Sequence, residues 1–328
     1  MRIAVVGTGA VAARAARQLA STDAVDTVVV HGADAERVGR IVGSLGREHA
    51  EPGSADPFAA RRPDVVILAG AGSGLPVARA AVAAGVPVVS VSDRVDEVRS
   101  LLALDGEARA AGVAVAVGAG FAPGLSCLLA VHAATVFDAV DEVHVARVGT
   151  AGPACARQHH EALSGSSVDW RDGEWVTRRG GSGRELCWFP DPIGAEDCYR
   201  AALPDALLLQ PAFPGVQRVT ARLAANRRDR VSAHLPMLRP PHPEGGLGAV
   251  RVEVRGRRGV SRSVEVLGAV DRPALAAGAV AALIAVAGAE GRLTRDGAGG
   301  LAELAPVLPT LAELARRGVK AAVFEGVS

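Results

Sequence analysis

The sequence predicts an α/β chain: a doubly wound parallel sheet at the N-terminus, a second α+β domain, and C-terminal helices that pack back on the first. Three observations predict it. The chain opens as strand, glycine turn and helix, "RIAVV" then Gly7-Thr8-Gly9 then an Ala-rich run. Apolar β-branched runs alternate with helix-forming runs as far as Gly118, the order of a parallel sheet with right-handed crossovers. Beyond Gly118 longer runs take over, several with period-two alternation.

The elements follow in order. Residues 2–6 form a strand, 10–19 a helix, 27–30 a strand and 33–45 a helix. Residues 51–60 are ambiguous and predict a short or degenerate element. The run 64–69 is apolar throughout, as expected of a strand covered on both faces. A helix over 75–84, a strand over 87–91, a helix over 95–111 and a strand over 113–117 complete the sheet. A Gly/Pro loop then leads to a helix over 125–134. Gly152-Pro153 begins another helix. Residues 180–201 read as a glycine-rich loop, a strand, and a loop holding Tyr199. Strands are expected over 141–149 and 216–225, with a hairpin over 248–271 turning near 256–259. Residues 273–326 read as helical. The expected domains are 1–124, 125–272 and 273–328.

Bulk properties narrow the function. The 328 residues exceed one ordinary core, and 49% hydrophobic with 22% charged residues is a globular balance. A net charge of +1 gives no electrostatic case for nucleic acid. The start shows no basic segment followed by a signal-type apolar stretch. The apolar run 274–289 is short for a membrane span. A cytoplasmic protein with no membrane partner is therefore expected. Cys127, Cys155, Cys187 and Cys198 contain no CxxC spacing, so no metal site or disulfide framework is expected and buried thiols are. Lys320 is the only lysine, which leaves little room for lysine-centred chemistry.

The strongest local signal is GxGxxA, formed by Gly7, Gly9 and Ala12. Gly7 permits the tight turn, Gly9 lets backbone approach a pyrophosphate, and Ala12 allows close helix–strand packing. The N-terminus of the following helix attracts negative charge. The expected cofactor contacts are Gly7, Thr8, Gly9, Ala10, Val11 and Ala12. An acid for the ribose 2′-OH belongs about 20 residues further on, where Val30 and His31 stand instead. That absence favours NADP over NAD. His31 would hydrogen-bond the 2′-phosphate or stack near adenine, with positive charge from Arg37 or Arg40. The competing reading makes His31 and Arg37 solvated surface residues. Ala69 and Gly70 begin a small-residue loop that would pass the cofactor, or is a plain turn. Ser92 reads as a helix cap or cofactor contact, and Asp93 as a cap or substrate contact.

The stretch "GAGFAPGLSCLLA" places Gly120, Pro123, Gly124 and Leu125 before a helix. With Gly7, Gly9 and Ala12 these residues give the chain its resemblance to the saccharopine dehydrogenase-like oxidoreductases of the reductase type. The resemblance covers the first 130 residues and extends further only in architecture. It implies an N-terminal Rossmann domain, a second domain, and NAD(P)-linked oxidation or reduction of a C–N bond in an amino-acid-like or imine substrate. It implies cofactor contacts at Gly120 and Pro123. The sequence departs from the family in lacking the strand-end acid and in its shorter chain.

In the second domain Arg157, His159, His160 and Glu161 fall within five positions. Arg157 would grip a carboxylate while one histidine acts as general acid. Adjacent helical residues point in different directions, and without HExxH spacing they do not suggest zinc. Their other reading is a surface or core edge. Arg184, Trp188 and Tyr199 would bound a small-acid pocket, or pack in a core. The Pro-rich loop with Arg239, His242 and Glu244 would be a lid or dimer contact. The expected assembly is a homodimer. The alternative function is a non-catalytic nucleotide-binding or scaffold protein.

Overall fold

The computed structural model describes residues 1–46, 48–54, 56–72, 74–237 and 241–323. The chain divides into two units: Met1–Gly120 with Ala274–Pro306, and Phe121–Pro273 with Val307–Ser328.

The first unit alternates strand and helix. Its elements are β1 (Arg2–Val6), α1 (Ala10–Ala20), β2 (Thr27–His31), α2 (Ala35–Leu45), β3 (Ala50–Pro52), β4 (Val65–Leu68), α3 (Leu75–Ala83), β5 (Val88–Ser90), α4 (Val95–Leu102), α5 (Asp105–Ala110) and β6 (Ala114–Val117). The strand Gly297–Gly300 adds beside β6, giving the order Gly297–Gly300, β6, β5, β4, β1, β2, β3. Every pairing in this sheet is parallel. Two strands diverge from β1 in opposite directions, so the sheet is doubly wound with its switch point at the end of β1. The expected ambiguous stretch contributes only the three-residue β3. The single helix expected over 95–111 is two helices, broken at 103–104. The helix Pro273–Ala289 returns to this unit, and Gly278 is what lets it close on α1: a Cβ there would lie 2.6 Å from the Cβ of Arg14 and 2.7 Å from the Ala15 nitrogen.

The second unit contains α6 (Leu125–Ala134), β7 (Ala139–Val148), α7 (Pro153–Ala162), β8 (Ser166–Arg171), β9 (Glu174–Arg179), β10 (Glu185–Phe189), β11 (Gly194–Tyr199), α8 (Asp205–Leu209), β12 (Arg218–Ala224), α9 (Arg227–Ser232), β13 (Gly248–Arg258) and β14 (Ser261–Asp271). Its mixed sheet runs β10, β11, β12, β7, β13, β14, Lys320–Val323, with the β8–β9 hairpin attached to β12. Alternation divides the sheet faces. Val143, Val145, Val219, Val250, Val252 and Val254 are buried on one side. Glu142, His144, Arg218, Thr220, Arg251 and Glu253 take the intervening positions, in register across β12, β7 and β13. α6 packs on β7, β13 and β14, and α8 on β12.

Three expectations need correction. The tail 273–326 is not all helix, because it contains the strands Gly297–Gly300 and Lys320–Val323. The segment from Val307 onward belongs with the second unit, where Lys320–Val323 extends the sheet beyond β14. Tyr199 ends a strand rather than sitting in a loop. No helix among the described residues is long and apolar enough to cross a membrane.

Candidate dinucleotide-binding site

The glycine turn follows β1 directly. The Gly7 N–H donates to the His31 carbonyl at 2.8 Å, tying the turn to the end of β2. Gly7 has φ +141°, and a Cβ there would lie 2.5 Å from the Ala69 carbonyl oxygen. Only glycine meets both demands. Gly9 differs. It is the N-cap of α1 in ordinary extended backbone, and a Cβ there would touch nothing within 4 Å. Fold packing therefore does not require glycine at this position, while close approach by a ligand does. The α1 N-terminus has no side-chain cap and no acid in its first turn, so its N–H groups and dipole are not competed for at Ala10, Val11 and Ala12. Ala12 is 1% exposed and seats the helix on the sheet. Thr8 lies against Gly32, where a Cβ would come within 2.6 Å of its Cγ2. These features fit a pyrophosphate.

Two neighbouring strand ends are tied by a residue the sequence reading passed over. Glu97 of α4 accepts the Gly74 N–H at 2.7 Å and the Ser92 hydroxyl at 2.9 Å. It thereby joins the loops that follow β4 and β5. Ser92 Oγ also accepts the Arg94 N–H at 3.3 Å, and the cap residue of α4 is Arg94. Asp93 is half-buried beside them. Ala69 is buried, whereas Gly70 is exposed.

His31 is neither a solvated strand end nor an exposed phosphate ligand. The residue is 4% exposed, and its Nδ1 lies 2.8 Å from the Ser54 carbonyl. Arg37 is different: its side chain is 60% exposed and its guanidinium is held by Asp34, Nε to Oδ2 at 3.1 Å. Asp34 also caps α2 by accepting the Arg37 N–H. Arg40 pairs with Glu36.

Gly120 is a buried residue that ends the first unit. In the second unit Pro123 and Gly124 lead into α6, and Arg147 donates to the Ala122 carbonyl beside them. Below, Ser126 Oγ lies 3.4 Å from Asp205 Oδ1. Burial, with a contribution from the Asp205 carboxylate, pushes the Cys127 thiol up to about 12, so this thiol is inert.

Helix α7 does not gather its three candidates. Arg157 is exposed and His160 lies one turn along, but His159 points to the other side and is buried. His159 Nε2 sits 3.4 Å from Cys155 Sγ, a contact the sequence reading missed. Cys155 is half-exposed, against the expectation of four buried thiols. The Nε2 of His160 bonds the Leu235 carbonyl at 3.0 Å. Arg184 is engaged by Asp197 at 2.8 Å, and its hydrogen bond to that carboxylate, with the carboxylate's charge, holds the Arg184 guanidinium above its usual value. Trp188 is exposed, while Tyr199 is buried beneath Arg230, whose guanidinium lies 4.0 Å from the ring centre. Arg184, Trp188 and Tyr199 therefore do not enclose one pocket. Arg239 lies outside the described residues.

The geometry can be set beside known proteins. No protein-family model matches the chain, and no curated protein matches it in sequence. Among solved structures it is similar to apo saccharopine dehydrogenase (L-Glu forming) from Saccharomyces cerevisiae, with TM-score 0.71, 15% identity, and 98% of this chain and 99% of that one covered. The chain has a saccharopine dehydrogenase-like fold. GenD2 from gentamicin A biosynthesis, in complex with NAD, overlaps at TM-score 0.49 and 16% identity over 99% of this chain and 97% of that one. The DAP dehydrogenase of C. glutamicum in complex with DAP overlaps at 0.47 and 16% over 97% and 98%. The fold assignment rests on the first of the three.

Proposed function

We propose that the protein is a cytoplasmic NAD(P)-dependent oxidoreductase acting on a C–N bond of an amino-acid-like or imine substrate. The observation that carries this reading is the open space at Gly9, set before a helix N-terminus that no side chain caps. A nicotinamide bound there would supply or accept hydride. The Gly9 turn and the first N–H groups of α1 hold the pyrophosphate.

NADP is the preferred cofactor. No acid stands at the end of β2 to repel a 2′-phosphate, and the guanidinium of the exposed Arg37 side chain follows in the first turn of α2. The burial of His31 passes the phosphate role to Arg37. On the substrate side Arg157 binds a carboxylate, and one of the two α7 histidines handles the proton. His159 and His160 are distinguished by His159→Gln and His160→Gln, since only the proton donor shifts the pH profile of kcat. The reading includes a homodimer, with the edge strand β10 as its surface because Leu186 and Trp188 are exposed there.

The test is binding and turnover by wild type and Arg37→Ala. The substitution raises the NADPH dissociation constant by about tenfold, one lost charge-assisted contact, and leaves that for NADH nearly unchanged. Equal effects on both remove Arg37 from the 2′-phosphate. Cofactor binding without turnover of any imine or amino acid would favour the non-catalytic alternative.

A further inference from the structure

Helix α7 brings together two side chains that bind metals. Cys155 and His159 stand four residues apart in Pro153–Ala162, so they meet on one face of the helix. Cys155 Sγ lies 3.4 Å from His159 Nε2, and each atom can serve as a metal ligand. His159 and His160 lack the HExxH spacing of two zinc-binding histidines, but here the second donor is a thiol.

The distance between the donors suits zinc. Zinc takes thiolate sulfur at about 2.3 Å and imidazole nitrogen at about 2.0–2.1 Å in a tetrahedron. An angle of about 109° between those bonds sets sulfur and nitrogen about 3.5 Å apart. The ion therefore fits with both side chains nearly as they stand. Sulfur with imidazole nitrogen also selects zinc over magnesium and calcium, which take oxygen ligands. Access is available on the thiol side. Cys155 is partly exposed, whereas Cys127, Cys187 and Cys198 are buried. Burial of His159 holds its ring in place before an ion arrives. His160 does not compete, since its Nε2 is bonded to the Leu235 carbonyl at 3.0 Å.

We propose that Cys155 Sγ and His159 Nε2 bind a zinc-type divalent ion, with water in its remaining positions. Binding breaks the thiol S–H bond: one proton leaves to solvent as the metal–sulfur and metal–nitrogen bonds form, and no electrons are transferred. The site does not depend on the cofactor reading. An ion on Nε2 withdraws that nitrogen from proton transfer, which leaves the proton of the proposed reaction to His160.

The test titrates cobalt(II), a coloured stand-in for zinc, into the full untagged chain after chelation and dialysis, with no cofactor present. One equivalent should bring up a thiolate-to-cobalt charge-transfer band in the near ultraviolet, and zinc should bleach it. Cys155→Ser should abolish the band. His159→Gln should weaken cobalt binding at least about tenfold, because losing even an outer-shell partner costs about 10–100-fold. His160→Gln should bind cobalt as wild type does. Melting curves of the metal-free variants show that each is folded, and zinc should raise the melting temperature of wild type but not of Cys155→Ser. No band in the folded wild-type chain overturns the proposal. So does a band that survives Cys155→Ser, which would place the ion on another thiol. Full affinity in His159→Gln overturns it too, because the site would then be a single surface thiol.

Discussion

Gly9→Ala and Gly7→Ala separate what the turn does for binding from what it does for folding. At Gly9 the backbone is ordinary, with φ −78°, and a Cβ meets no atom within 4 Å. Alanine caps a helix less well than glycine, a cost of about 1 kcal/mol or less. The added methyl occupies the space where a pyrophosphate would meet the backbone. Losing one such charge-assisted hydrogen bond costs about 1.5–3 kcal/mol, so the NADPH dissociation constant should rise by about 10- to 100-fold. Gly7 is the reverse case. Its φ of +141° is a region that costs other residues about 1–3 kcal/mol. Its Cβ would also strike backbone at 2.5, 2.6 and 2.8 Å, an overpacking cost of about 1–3 kcal/mol. The sum, about 2–6 kcal/mol, lowers the melting temperature by roughly 5–20 °C. Thermal unfolding without cofactor reads the folding cost, and fluorescence titration with NADPH reads the binding cost. The reasoning is refuted if Gly9→Ala binds NADPH as wild type does. It is refuted equally if the two variants melt at the same temperature.

Further outcomes follow from other sites. Burial holds His144 below the usual imidazole value, against the opposing pull of Glu142 at 2.7 Å. Just below pH 6.5 the unfolded chain therefore binds a proton that folded His144 does not, so stability falls as pH drops through that window. Urea unfolding of His144→Gln should show a shallower slope there; a steeper one contradicts the assignment. Cys155 is the half-exposed thiol among four, so native-state alkylation should label Cys155 alone and Cys155→Ser should label at none. Glu97→Ala removes two hydrogen bonds, costing about 1–3 kcal/mol, and should lower the melting temperature by roughly 3–10 °C. An unchanged value would mean the loops after β4 and β5 hold without it.

The glycine turn was legible because its demands are local. Gly7 needs a positive φ and leaves no room for a Cβ, and the turn directly follows a β-branched run. The parallel sheet was legible for a similar reason, since buried strands such as Val65–Leu68 read as unbroken apolar runs. The strand Gly297–Gly300 was not legible, because "GAGG" has no strand propensity. It forms through tertiary contacts: the Ala298 N–H donates to Asp105 at 3.0 Å, and a Cβ on Gly297 would lie 2.4 Å from that same carboxylate. The β8–β9 hairpin was hidden because β9 is mostly exposed and polar while β8 buries the polar Ser167 and Asp169 beside Val168, so neither strand shows apolar–polar alternation. His31 was misread because strand-end position says nothing of which loop later covers the ring. Glu97 and Cys155 escaped for the same reason: their partners are set by folding, Glu97 across the chain to Gly74 and Cys155 one turn along to His159.

The most direct measurement is calorimetric titration of the wild-type chain with NADPH. One saturable site per chain is expected, tighter for NADPH than for NADH and displaced by ADP-ribose, if the Gly7–Gly9 turn and α1 hold the pyrophosphate as proposed. No heat of binding with either nucleotide would contradict the account.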